Sequence, residues 1–101
     1  MVKISETGTD TYTVYIAGEL DEVTSVPLRA ELDKLIVKGA RRIVFDLADL
    51  VFMNSTGVGV FIGKYKKAIR FNTEFAVKNL TKQVEKLFRV SGLFKIMRMA
   101  E

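Results

Sequence analysis

The chain contains no histidine and no cysteine. Without histidine it lacks the commonest general base and the commonest metal ligand, so a Ser–His–Asp triad cannot be assembled. Without cysteine there is neither a thiol nucleophile nor a disulfide framework. Proton transfer is left to carboxylates, lysines and tyrosines. The expectation is therefore a domain with no catalytic residue, no cofactor and no bound metal. Proline is nearly absent too, with Pro27 alone. No uninterrupted apolar stretch reaches the ~18 residues that a membrane-spanning helix needs. The opening residues, MVKISETGTDTY, lack the apolar centre of a secretion signal. These absences suit the cytoplasm and a protein that acts by binding, away from membranes.

What is present suffices for one domain over residues 1–101, with 49% of the residues hydrophobic. A chain of this size buries roughly two-thirds of the surface it exposes when unfolded. No linker, repeat or low-complexity segment interrupts it. Net charge is +4, unevenly spread: residues 1–63 hold 6 basic and 9 acidic groups, residues 64–101 hold 10 basic and 3 acidic. A basic half of this kind suits an acidic partner or nucleic acid. However, Lys64, Lys66, Lys67 and Arg70 come without an aromatic stacking motif, which speaks against nucleic acid, and solvated helix faces explain them as well.

Residues 2–8 and 11–17 read as two short strands around Thr9-Asp10, with Val14 and Ile16 alternating against Thr13 and Tyr15. Thr24-Ser25-Val26-Pro27 combines a hydroxyl cap with a first-turn proline and starts a helix. Leu28, Leu32, Leu35 and Ile36 recur at helical spacing on its core face, and Gly39 stops it. Ile43-Val44-Phe45 is a short apolar run with charged flanks, the mark of a buried central strand. A second helix spans Ser55–Ile69, with Val58, Phe61, Ile62, Tyr65, Ala68 and Ile69 along one face. Glu74–Val77 reads as a strand. Thr81 caps a third helix carrying Val84, Leu87 and Phe88, and Gly92 ends it in a left-handed cap. Leu93–Met99 reads as a last strand or an extended tail. The order β-β-α-β-α-β-α-β predicts an α/β fold with a mixed sheet and helices mainly on one face.

The most informative stretch is Val44–Gly63. Three glycines, Gly57, Gly59 and Gly63, fall inside the second helix, where each costs about 1 kcal/mol relative to alanine. Asn54-Ser55-Thr56 stands at its head. Sites in open α/β sheets form beyond the carboxyl ends of the parallel strands. There Asp21, Asp46 and Asp49 are expected to gather near Ser55 and Thr56. Taken alone, Ser55 reads either as a plain helix cap or as a hydroxyl offered at the positive end of a helix dipole. Asn54 is the other possible cap. Asp21 and Asp46 read equally as turn or strand-end carboxylates. The spacing of the three glycines matches neither the dinucleotide-binding fingerprint nor the P-loop. A serine hydrolase built on Ser55 lacks a base.

The run Asp46-Leu47-Ala48-Asp49-Leu50-Val51-Phe52-Met53-Asn54-Ser55-Thr56-Gly57-Val58-Gly59 resembles the signature of bacterial anti-sigma-factor antagonists, the STAS domain family. The family pattern there is Asp-Leu, a few residues, then Phe-Met-Asp-Ser-Ser/Thr-Gly-Leu-Gly. Gly18-Glu19-Leu20-Asp21 resembles the family's Gly-Glu-Leu-Asp element, and Leu87–Ile96 resembles its closing Leu-Phe-x-x-Ser-Gly-Leu-x-Lys-Ile. The resemblance implies a single STAS-like domain and a cytoplasmic switch protein. In that family the unmodified antagonist binds an anti-sigma factor that is also a serine kinase, and a sigma factor is freed. The kinase then phosphorylates the hydroxyl that matches Ser55, and a metal-dependent serine phosphatase resets the antagonist. Asp21, Asp46, Asn54 and Thr56 fall near that position. Phe52, Met53, Gly57 and Val58 are the expected partner-binding residues, leaving an apolar patch beside the switch. Asn54 departs from the pattern, which has aspartate there. Family members also serve as modules of transporters and signalling scaffolds, so the alternative is a binding module of another signalling complex.

Overall fold

The computed structural model describes residues 1–100. In chain order the elements are β1 (Val2–Gly8), β2 (Thr11–Ile16), β3 (Gly18–Leu20), α1 (Ser25–Lys38), β4 (Arg42–Asp46), β5 (Leu50–Met53), α2 (Ser55–Arg70), β6 (Glu74–Lys78), α3 (Lys82–Ser91), a 3-10 turn (Leu93–Lys95) and β7 (Arg98–Met99). The main sheet has the order β1-β2-β4-β6-β7, while β3 and β5 form a separate ribbon. β1 runs antiparallel to β2, and every later neighbour in the main sheet is parallel, so the sheet is mixed.

That order puts the helices on one face. Each crossover from β2 to β4, β6 and β7 steps the same way across the sheet. Right-handed connections made in one direction stack their helices on one side. Period-two alternation then supplies the core. Tyr12, Val14, Ile16, Ile43, Phe45, Phe75 and Val77 face the helices and join Leu28, Leu32, Ile36, Val60, Phe61, Val84 and Phe88 in one cluster. Phe45 sits at its centre, with its ring edge-on to Phe61 at 5.0 Å and to Phe75 at 5.1 Å. The alternate residues, among them Tyr15, Arg42, Asp46, Glu74 and Lys78, stand on the helix-free face. Among the described residues, no helix is long and apolar enough to cross a membrane.

Gly39 and Gly92 end α1 and α3 at φ 104° and 81°, in the left-handed region that glycine adopts most readily. Thr81 caps α3 by accepting the Val84 amide at 3.2 Å. The structure corrects two expectations. Within Leu93–Met99, Leu93–Lys95 is a 3-10 turn, and only Arg98–Met99 pairs with β6. On α2, Ile62 and Ile69 are 37% and 54% exposed, and Val60 is buried in their place. The helix is rolled by its close approach at Gly57, described below, so Gly57, Val60, Phe61 and Ala68 form the inward stripe.

α1 and α2 are also tied at the surface. The Asp33 carboxylate accepts from Lys64 at 2.9 Å and Lys67 at 3.0 Å. The Lys64 hydrogen bond is the main reason the Asp33 carboxyl is held below the usual aspartate range. A lowered folded pKa means a contribution that is present above the unfolded value and lost as pH falls through the folded one. Unfolding free energies measured in urea should therefore fall less steeply for Asp33→Asn than for wild type as pH drops below about 4. At neutral pH the two should differ by no more than about 1 kcal/mol, because the groups are partly exposed and screened. Parallel acid limbs would show that the ion pairs do not form in solution.

Candidate functional site

The β3–β5 ribbon builds the site. Leu20 and Met53 pair in register at its end. The Asn54 amide donates to the Leu20 carbonyl at 3.1 Å, and the Gly18 amide donates to the Asp49 carbonyl at 2.9 Å. Asp21-Glu22 and Asn54-Ser55-Thr56 therefore leave the ribbon side by side, the first leading to α1 and the second opening α2. The sequence reading missed both strands, which are only three and four residues long. Their sequence signal is slight: Leu20 between two acidic residues, and the four-residue apolar run Leu50–Met53.

Asn54 is the N-cap of α2. Its Oδ1 accepts the amides of Thr56 at 3.0 Å and Gly57 at 3.2 Å. Ser55 is thus the first helical residue, and it is exposed. Its hydroxyl makes no hydrogen bond to any described residue. Thr56 is half-buried, and its hydroxyl donates to Glu22 Oε1 at 3.3 Å. The same carboxylate oxygen accepts from Asn54 Nδ2 at 2.7 Å. The first turn of α2 has no acidic residue of its own, so the positive end of a 16-residue helix faces Ser55 and Glu22.

Asp21 shapes the approach to α1. Its Oδ1 accepts the amides of Val23 and Thr24, both at 3.0 Å, while its own amide donates to the Thr24 hydroxyl at 2.9 Å. These bonds, led by the Thr24 amide, hold its carboxyl below the usual range. The Thr24 hydroxyl donates to the Glu19 carbonyl at 2.7 Å and does not cap α1. Asp46, expected beside Ser55, is tied elsewhere. It accepts the Ala48 amide at 3.1 Å and Asn79 Nδ2 at 3.1 Å. Phe45 points into the core, so Asp46, one residue on, leaves the strand on the opposite face from α2. Asp49 is exposed and enters only through its carbonyl. Glu22, which sequence reasoning missed, is the carboxylate bonded to Asn54 and Thr56 at the head of α2. Its contacts span more than thirty residues, so no local pattern announces it. Among the described residues no cluster of three or more carboxylates is placed to hold a metal ion.

Of the expected partner-binding residues, Phe52 is 40% exposed and Val58 is half-buried. Met53 and Gly57 are buried and line no surface. A register jump at Val51, between Gly18↔Leu50 and Glu19↔Phe52, leaves Val51 and Phe52 both exposed and turns Met53 inward. Gly57 is where α2 meets the ribbon. A Cβ there would lie 2.8 Å from the Leu20 carbonyl oxygen and 3.0 Å from Met53 Cβ. Around Gly59 and Gly63 a Cβ would meet nothing within 4 Å. The three glycines should therefore respond oppositely to alanine. Gly59→Ala and Gly63→Ala should each raise stability by about 0.5–1 kcal/mol, through helix propensity alone. Gly57→Ala should lower it, because the obstacle is backbone. Thermal melts of the three variants check this, and a stabilising Gly57→Ala would contradict the packing described.

The sequence profile described as the STAS domain matches residues 3–101. The anti-sigma-B factor antagonist of Listeria monocytogenes is 31% identical over 98 residues, covering 97% of this chain and 86% of that protein. The anti-sigma F factor antagonist of Paenibacillus polymyxa is 41% identical over 85 residues, covering 83% of this chain and 73% of its own length. The structure of the Bacillus cell fate determinant SpoIIAA in its phosphorylated form aligns with a TM-score of 0.79 at 26% identity, over 100% of this chain and 92% of that one.

Proposed function

The chain belongs to the STAS domain family, and from that membership we propose that it is an anti-sigma-factor antagonist switched off by phosphorylation at Ser55. It binds an anti-sigma factor that has serine kinase activity and so releases a sigma factor in the cytoplasm. It works as a binding protein, not as an enzyme. A metal-dependent serine phosphatase returns it to the binding form.

The observation that carries this reading is the state of Ser55, an exposed, unbonded hydroxyl on the first residue of α2. Nothing has to move before a kinase reaches it. The phosphate, bringing about −1.5 to −2 charges, would rest at a helix N-terminus that favours anions by roughly 0.3–1 kcal/mol. The names of the relatives, antagonists of anti-sigma B and anti-sigma F factors, support the partner class. Val58 and Ile62, three and seven residues on from Ser55, expose apolar surface on the same face of α2, and Phe52 exposes more three residues before it. A partner seated on that patch covers Ser55 as well.

The test is to purify the tagged chain from its own cells, identify the protein bound to it, add ATP and map the phosphate by mass spectrometry. The expected result is a partner with a kinase domain and one phosphate, on Ser55. A partner without a kinase domain, with Ser55 left unmodified, would instead support a binding module of another signalling complex.

A further inference from the structure

We propose that Glu22 directs phosphate to Ser55 by withholding the neighbouring hydroxyl of Thr56. The inference rests on the proposed phosphorylation of this chain and adds what chooses between two adjacent acceptors.

Ser55 and Thr56 are the first two residues of α2 and both carry a hydroxyl at its positive end. Dipole and sequence position barely separate them. Their surroundings do. Ser55 is exposed and unbonded, whereas Thr56 is half-buried and gives its one hydroxyl proton to Glu22 Oε1. In the transfer, the acceptor oxygen forms a bond to the γ-phosphorus of ATP, the bond from that phosphorus to the departing ADP oxygen breaks, and the hydroxyl proton passes to a base of the kinase. At Thr56 a carboxylate lies 3.3 Å from the oxygen that must be approached. It repels the incoming γ-phosphate and would face the finished phosphate at close range. At Ser55 no carboxylate among the described residues is bonded to the hydroxyl.

Asn54 keeps Glu22 where it acts. The two ends of its amide do separate tasks: Oδ1 caps α2, and Nδ2 holds Glu22 Oε1 at 2.7 Å. Aspartate, the residue of the family pattern at this position, would preserve the cap but set one carboxylate against another. Asn54 and Glu22 therefore form a matched pair, and the departure at Asn54 is what allows an acidic residue to sit over Thr56.

The experiment compares wild type with Glu22→Ala, Asn54→Asp and Glu22→Gln, the last keeping an acceptor oxygen without the charge. Each full chain is given ATP and the co-purified kinase, and the phosphate on each hydroxyl is quantified by mass spectrometry. In Glu22→Ala and Asn54→Asp the share of phosphate on Thr56 should rise about tenfold, the effect of losing one hydrogen bond to a charged group. Glu22→Gln, which can still accept from Thr56, should stay closer to wild type. Phosphate confined to Ser55 in Glu22→Ala would overturn the inference and leave the proposed function standing. No phosphate on either hydroxyl of wild type would overturn the proposed function instead. NMR couplings of the Thr56 side chain in the free chain need no kinase. They should report one rotamer in wild type and Glu22→Gln and an averaged one in Glu22→Ala and Asn54→Asp. A rotamer indifferent to all three changes would remove the contact on which the inference depends.

Discussion

Phosphorylated at Ser55, the chain should bind its anti-sigma factor about a hundredfold more weakly than the unmodified chain, a difference of about 2.8 kcal/mol. Its melting temperature should hardly change. In the free domain the added group meets water and the N-terminus of α2, which stabilises it modestly. The Glu22 carboxylate, bonded to the neighbouring Thr56, opposes it, but that residue is exposed and its charge is screened by solvent. In the complex the situation differs, because a partner covering Phe52, Val58 and Ser55 must strip water from a multiply charged group or open the interface around it. Ser55→Asp should fold normally and bind weakly. Ser55→Ala removes a hydroxyl that bonds to no described residue, so it should bind like wild type and escape the kinase. Titration calorimetry with the purified anti-sigma factor and thermal melts on the same four proteins check both halves. Equal affinity of the phosphorylated and unmodified forms would rule out charge and desolvation as the switch.

The largest effect on stability should come from Phe61→Ala, which should remove about 3–5 kcal/mol. Phe61 is fully buried on α2. Its ring meets Phe45 of the sheet at 5.0 Å and Phe88 of α3 at 5.8 Å, so one side chain links three elements. Its loss leaves a cavity between a helix rolled tightly onto the ribbon at Gly57 and a sheet that has no freedom to close the gap. A domain of this size has a total stability of only about 5–15 kcal/mol. Urea unfolding should show the loss as a lower midpoint at an unchanged slope. A loss under about 1.5 kcal/mol, the range of a tolerated core change, would contradict the placement of Phe61.

The features legible in the sequence are those whose causes are local. Gly39 and Gly92 end helices because their own backbone is left-handed there, and Thr81 caps α3 because a hydroxyl reaches an amide three residues on. The alternation of Val14 and Ile16 with Thr13 and Tyr15 is a property of one strand. The features not read arise from contacts between distant segments. β3 and β5 are too short to show a period, and each exists because the other pairs with it. The inward face of α2 is set by a carbonyl of Leu20 against Gly57, so the choice of Val60 over Ile62 could not be read from α2 alone. Glu22 gains its role only when Asn54 and Thr56 are brought to it. Asp46 is a different case. It follows Phe45 on the opposite face of β4, so period-two alternation already pointed it away from the helices. Met53 could not be read that way, because the register jump at Val51 breaks the alternation of β5.

The most direct measurement adds the purified chain to a preformed complex of the sigma factor with its anti-sigma factor and follows free sigma factor by size-exclusion chromatography or fluorescence anisotropy. Unmodified chain should release the sigma factor in proportion to the amount added. Chain phosphorylated at Ser55 should require about a hundredfold higher concentration for the same release. Release of the sigma factor by neither form, or equally by both, would contradict the account.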